Sequence, residues 1–363
     1  MFIHLARITD EEIKGLEEAV DKLARSYRTS LELRWEPDKS SPRGVAILGD
    51  TKRMRDEAIP YLQNLDGVAE VMAVDTPYKL LSRVTHPEYN GGLIRNFSVD
   101  GVEVGGEKPL VIAGPCAVHS LEQTMQIAYA AREAGADMLR GGAYKPRTSP
   151  HSFRGLGEQG LEILALAKER TGLPIVTELL RQSDIPLFLK YGVDVIQIGM
   201  RNGMNYELIE DAGAAGLPIL LKRNHAATFE EWILAAEYVA NQGNYDIMLC
   251  ERGMKPTDGS YHRNHIDYDV VSAAHRATFL PVIVDPSHGT GHAHYVPEAV
   301  SKAIISGANG VEIDLKRNGD LDLGTVDFPQ AITLDQFSLL MRSAIPKAME
   351  LRELTAQINS MYG

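Results

Sequence analysis

Cysteine is scarce: the chain holds two, Cys116 and Cys250, in 363 residues. Two thiols cannot staple a scaffold, so a disulfide-built secreted domain is excluded and a reducing, cytoplasmic compartment is expected. Long hydrophobic runs are missing too. No stretch reaches the roughly 18 apolar residues of a membrane helix, so no membrane partner is expected. The opening MFIHLARITDEEIKG lacks a basic run followed by an apolar core and does not read as a secretory signal. Positive charge is the third deficit: 37 Lys and Arg stand against 49 Asp and Glu, a net charge of −12. That disfavours a nucleic-acid partner, which calls for a basic face. A hydrophobic share of 44% and a charged share of 24% belong to a globular chain and exclude a disordered one.

What is present divides near residue 100. Residues 1–75 read as a small ferredoxin-like βαββαβ domain. FIHLAR, LELRWE, GVAILGD and VAEVMAV are strands, and a helix capped by Thr9 runs to about Tyr27. A second helix, TKRMRDEAIPYLQNL, is expected to be disturbed at Pro60. Residues 76–108 read as a linker ending in a hairpin, SVDGVEVGG, with Asp100-Gly101 at its turn. From 109 to 363 the pattern changes. Eight apolar runs, at 110–118, 136–143, 174–179, 194–200, 218–223, 246–252, 281–288 and 310–315, each precede a helix-length segment. Several begin just after a Gly, as in AGADML, TGLPIV and AGLPIL, where a helix ends and a buried parallel strand starts. Eight even βα repeats predict a (β/α)8 TIM barrel rather than a doubly wound sheet.

In such a barrel the active site lies at the C-terminal ends of the strands. All eight ends are polar here. In strand order they carry Cys116; Arg140, then Lys145 and Arg147; Glu178; Arg201; Lys222 and Arg223; Glu251 and Arg252; Asp285 and His288; Glu312 and Asp314. Arg140, Lys145, Arg147, Arg201, Lys222 and Arg252 converge on one mouth, and Glu178, Glu251 and Asp285 are too few to balance all six. The excess calls for a small ligand bearing phosphate and carboxylate groups. A thiolate, an imidazole and carboxylates together suit a divalent transition metal. Alternation sends Val311, Ile313 and Leu315 outward to the helices and places Glu312 and Asp314 inside the barrel.

Six motifs, IAGPCAVHS, MLRGGAYKPRTSPHSFRGLGEQGL, IQIGMRN, LLKR, LCERG and VDPSH, resemble DAHP synthase in sequence, order and spacing. The N-terminal unit and PYKLLSRVTHPE resemble the subfamily with a ferredoxin-like regulatory domain. The resemblance implies a transferase of the shikimate pathway and aromatic amino acid biosynthesis. It joins phosphoenolpyruvate to erythrose 4-phosphate and releases phosphate. By resemblance, Arg140, Lys145, Arg201, Lys222 and Arg252 bind phosphoenolpyruvate, and Arg147 with Thr148 clamps the aldose phosphate. Cys116, His288, Asp314 (with Glu312 as the alternative) and Asp327 hold a divalent metal, Mn, Fe, Co or Zn. Lys145 is the candidate for proton transfer, with Cys116 and His288 beside it. The resemblance further implies a homo-oligomer, tetramer or dimer, and an aromatic amino acid effector.

The chain also departs from the family pattern. Asn224 replaces a Gly after LKR, His292 and His294 replace a basic pair, Leu315-Lys316 replaces His-Pro, and the segment after CERG, MKPTDGSYHRNHID, is longer. These changes fall where the aldehyde and the metal belong. A paralogue condensing phosphoenolpyruvate with a different aldose phosphate therefore stays open as a second reading. A metabolite-sensing barrel without activity is the third.

Overall fold

The computed structural model describes residues 1–36, 42–259, 262–320 and 328–361. The chain forms two compact units, Met1–Asn90 and Gly91–Gly363.

In the first unit the order is β1 (Phe2–Leu5), α1 (Asp10–Tyr27), β2 (Leu31–Glu36), β3 (Gly44–Gly49), α2 (Arg55–Gln63) and β4 (Val68–Met72). The strands form one antiparallel sheet in the order β2-β3-β1-β4, the ferredoxin-like plait. Thr9 and Glu12 close a capping box at the start of α1, and Ile13, Leu16, Val20 and Leu23 form its buried stripe. Pro60 does not end α2, which runs through it. The helix is short, and a turn of 3-10 helix (Lys52–Met54) precedes it, so few backbone bonds depend on the missing N–H.

The second unit begins with a hairpin, β5 (Phe97–Val99) and β6 (Val102–Val104). Asp100 and Gly101 both have positive φ, 48° and 84°, as a two-residue turn of this hand requires. Eight parallel strands follow: β7 (Leu110–Gly114), β8 (Met138–Arg140), β9 (Ile175–Leu179), β10 (Val195–Ile198), β11 (Ile219–Lys222), β12 (Ile247–Glu251), β13 (Val282–Val284) and β14 (Gly310–Lys316). Each pairs with the next, and β14 pairs with both β13 and β7, closing a (β/α)8 barrel. The outer helices are α3 (Leu121–Ala134), α4 (Glu158–Thr171), α5 (Ile185–Lys190), α6 (Tyr206–Ala214), α7 (Phe229–Ala240), α8 (Asp269–Ala277) and α10 (Val296–Ile305). A five-residue helix, α9 (Pro286–Thr290), sits directly on the end of β13. A two-residue strand, β15 (Ile332–Thr333), runs beside the end of β14, and α11 (Leu334–Leu339) and α12 (Ile345–Ser360) follow.

The barrel interior has two storeys. Leu110, Ile112, Met138, Val176, Val195, Leu220, Met248, Cys250 and Ile283 form an apolar floor, and Val99 and Val104 of the hairpin pack into it. On five of the strands one inward step up replaces an apolar side chain with a polar one. Met138 is followed by Arg140, Val176 by Glu178, Val195 by Gln197, Leu220 by Lys222 and Ile283 by Asp285. The period of two in a strand puts both members of each pair on the same face. The floor excludes water from below, so the charged storey opens only at the C-terminal mouth.

Candidate active site

The charged storey is almost fully buried: Arg140 is 3% exposed, Lys222 4%, Asp285 0%, Glu312 1% and Asp314 1%. Buried charges persist only when paired, and these are. Arg140 contacts Asp314 at short range, and its Nε lies 3.1 Å from Glu312 Oε1. Lys222 Nζ lies 2.5 Å from Asp285 Oδ2 and 2.7 Å from Glu312 Oε2. Glu312 thus bridges two cations, held by charge rather than by aligned hydrogen bonds. Burial opposes the charge on Lys222, but Asp285 and Glu312 outweigh it and hold the ammonium above its ordinary pKa. The six cations therefore do not act alike. Arg140 and Lys222 are neutralised by the interior acids. Glu251 is taken by Arg223, 3.2 Å away, and does not balance the mouth.

The remaining cations line the mouth: Arg201 is exposed, while Lys145 and Arg252 are buried in its wall. One cavity at the mouth is lined by Arg140, Lys145, Arg147, Arg201, Lys222 and Arg252, with Glu178, Gln197 and His288 between them. Among the described residues, neither Arg201 nor Arg252 forms an ion pair with a carboxylate. Thr148 is exposed and does not line the cavity, whereas Arg147 does. Lys145 crosses Gly142 to reach the end of β7: its Nζ donates to the Cys116 carbonyl at 3.0 Å and lies 3.3 Å from Cys116 Sγ. A Cβ on Gly142 would stand 2.6 Å from Lys145 Cδ, so only glycine leaves this passage open.

Cys116, His288 and Asp314 bring their donor atoms within 4.8 Å of one another. Cys116 Sγ is 3.7 Å from His288 Nε2, which is 3.7 Å from Asp314 Oδ2. Donors about 2.0–2.3 Å from one tetrahedral ion sit roughly 3.5 Å apart, so this set fits a divalent transition metal in both spacing and chemistry. Asp285 Oδ2 sits 2.8 Å from His288 Nδ1 and aims Nε2 at the other two donors. Burial would lower the His288 pKa, but Asp285 and Asp314 raise it to about 9. Glu312 is engaged one layer below by Arg140 and Lys222. Asp327, the fourth donor expected from the sequence, lies outside the described residues.

Arg263 was not anticipated from the sequence. It lines the same cavity, and its Nη1 donates to Gln330 Oε1 at 2.8 Å. It belongs to the long segment after β12, whose position beyond a strand end was the available signal. His292 and His294, which replace the expected basic pair, do not line the cavity.

The sequence model described as the DAHP synthetase I family matches residues 86–345. A phospho-2-dehydro-3-deoxyheptonate aldolase of Thermotoga maritima is 39% identical over 92% of this chain and 93% of its own. A 2-dehydro-3-deoxyphosphooctonate aldolase of Syntrophobacter fumaroxidans is 29% identical over 69% of this chain and 91% of its own. The crystal structure of the Thermotoga maritima DAHP synthase superposes with a TM-score of 0.72 at 36% identity, covering 97% of this chain and 98% of that one.

Proposed function

The chain belongs to the DAHP synthetase I family, and on that premise we propose how the mouth of its barrel carries out the reaction. The enzyme condenses phosphoenolpyruvate with erythrose 4-phosphate to a 3-deoxyheptulosonate 7-phosphate and releases phosphate. It is a carbon–carbon bond-forming transferase at the entry to the shikimate pathway and aromatic amino acid biosynthesis. The observation that carries the site assignment is the separation of the cations into two groups. Arg140 and Lys222 are locked to interior acids, while Arg201 and Arg252 face the mouth without a carboxylate of their own.

In this reading Arg201 and Arg252 hold the phosphate and carboxylate of phosphoenolpyruvate. Arg140 and Lys222 form the rigid floor beneath, and Lys145 spans from there to Cys116. Arg147 and Thr148, on the exposed loop after β8, take the phosphate of the aldose. Cys116, His288 and Asp314, with Asp327, would hold a divalent metal (Mn, Fe, Co or Zn), which when bound supplies Lewis-acid polarisation of the aldehyde. The enol carbon of phosphoenolpyruvate attacks the aldehyde carbon, water adds at C2, and phosphate leaves from the hemiketal. Lys145 delivers a proton to the new hydroxyl, since its Nζ stands beside Cys116 Sγ at 3.3 Å.

Arg201→Ala and Arg252→Ala are each expected to remove one charge-assisted contact of about 1.5–3 kcal/mol. The apparent phosphoenolpyruvate constant then rises roughly ten- to a hundredfold, with little change in the aldose constant. Steady-state kinetics with each substrate varied in turn reads this split. Equal losses for both substrates would make these arginines organisers of the barrel instead of ligand contacts.

The N-terminal ferredoxin-like unit carries the regulation in this reading, through an aromatic amino acid effector. Tyrosine or phenylalanine, titrated into the full-length enzyme at subsaturating substrate, is expected to lower the rate. A rate indifferent to both would reduce the unit to a scaffold. Assembly into a dimer or tetramer and residence in the cytoplasm, where Cys116 and Cys250 stay reduced, complete the proposal.

A further inference from the structure

The segment after β12 folds back on itself through paired backbone contacts between Met254 and His265. It then lies against α9, the helix that carries His288. The Arg263 N–H donates to the Thr290 carbonyl at 3.1 Å, and the Asn264 N–H donates to the Gly289 carbonyl at 3.0 Å. Asn264 Nδ2 donates to the His288 carbonyl at 2.8 Å. The fit is close: Gly291 has φ +74°, and a Cβ there would stand 2.5 Å from Arg263 Cβ. The backbone of this loop is therefore fixed before the Arg263 side chain reaches the mouth.

From that base Arg263 engages Gln330, which is 1% exposed. Gln330 Nε2 in turn donates a short hydrogen bond to Asp314 Oδ2. The other Asp314 oxygen accepts from Arg140. An amide has one acceptor end and one donor end. With Arg263 on its oxygen, Gln330 must present its NH2 to the carboxylate. Asp314 is thus gripped on both oxygens, and the remaining lone pair of Oδ2 is left toward His288 Nε2, 3.7 Å away.

The geometry points to Arg263 as a positioning residue that acts through Gln330 to orient the Asp314 carboxylate for metal. This rests on the reading of Asp314 as a metal ligand. Asp314 reaches the site on a single methylene, so its approach depends on how the carboxylate is held. Outer partners of metal ligands typically account for about 10–100-fold in metal affinity.

The test is Mn2+ binding to the metal-free, full-length protein, read from the electron paramagnetic resonance signal of free Mn2+, with thermal melting recorded for each variant. R263A and Q330A are each expected to weaken Mn2+ about tenfold or more. The double variant should be no weaker than the worse single one, because both changes cut one path. R263K, which can still donate to Gln330, should recover part of the affinity without a change in melting. An R263A dissociation constant within about twofold of the parent overturns the inference, as do single effects that multiply in the double variant. C116S separates the two levels. If C116S loses Mn2+ and R263A does not, only the role of Arg263 fails; if C116S binds Mn2+ normally, the metal-site reading itself fails.

Discussion

Cys116→Ser is expected to abolish condensation and to strip the protein of metal. Serine has nearly the size of cysteine, so packing at the end of β7 should survive. Its hydroxyl stays protonated at neutral pH and is a far poorer partner for a transition metal than a thiolate. Loss of a direct ligand should cost at least the roughly 100-fold at the upper end for an outer partner. Metal content after gel filtration, measured beside the rate, checks it; a variant that keeps both at parent levels would place the metal elsewhere. The same site predicts a pH dependence. His288 keeps its proton up to about pH 9 in the metal-free protein, and that proton must leave before Nε2 can bind metal. Metal affinity should therefore fall as pH drops below about 9, by about tenfold per unit for this one group. Titrations at pH 6, 7 and 8 read the slope, and a flat profile would remove His288 from the ligand set.

Glu312→Ala should be the most destabilising single change in the barrel. Glu312 is 1% exposed and lies within 3.1 Å of Arg140 and 2.7 Å of Lys222. Its removal leaves two buried cations sharing Asp285 and Asp314, with no water able to enter from the apolar floor. Breaking a buried ion pair from one side costs about 3–5 kcal/mol. Denaturant unfolding followed by a probe within the barrel measures the loss. A cost below about 1 kcal/mol would mean that the interior charges relax more easily than their burial implies.

The strands were legible because each is a short apolar run, and several are entered from a glycine that ends the preceding helix. Gly135 and Gly172 do end α3 and α4 in the left-handed conformation, as AGADML and TGLPIV suggested. The alternation of β14 placed Glu312 and Asp314 inside but did not say which of them meets Cys116. That depends on register with another strand. Asp314 pairs with Gly114 at the end of β7, two residues before Cys116, while Glu312 pairs with Ile112 one layer lower. Counting charges at the strand ends also misjudged the balance, because Glu312 and Asp314 neutralise Arg140 and Lys222 from within. Arg263 stayed hidden for a different reason. The loop that carries it has no periodicity, and its course is set by backbone bonds to α9 that no local pattern encodes.

The reaction itself gives the most direct test. The relatives are named for a seven-carbon and an eight-carbon deoxy acid, and with three carbons from phosphoenolpyruvate a seven-carbon product requires a four-carbon aldose and an eight-carbon product a five-carbon one. Purified enzyme with Mn2+ and phosphoenolpyruvate is mixed in turn with a four-carbon and a five-carbon aldose phosphate, and the loss of enol absorbance is followed. Erythrose 4-phosphate is expected to drive rapid consumption, with one phosphate released per enol lost, and the pentose to give little turnover. Faster turnover with the five-carbon aldose, or none with either, would rule out this reaction for the chain.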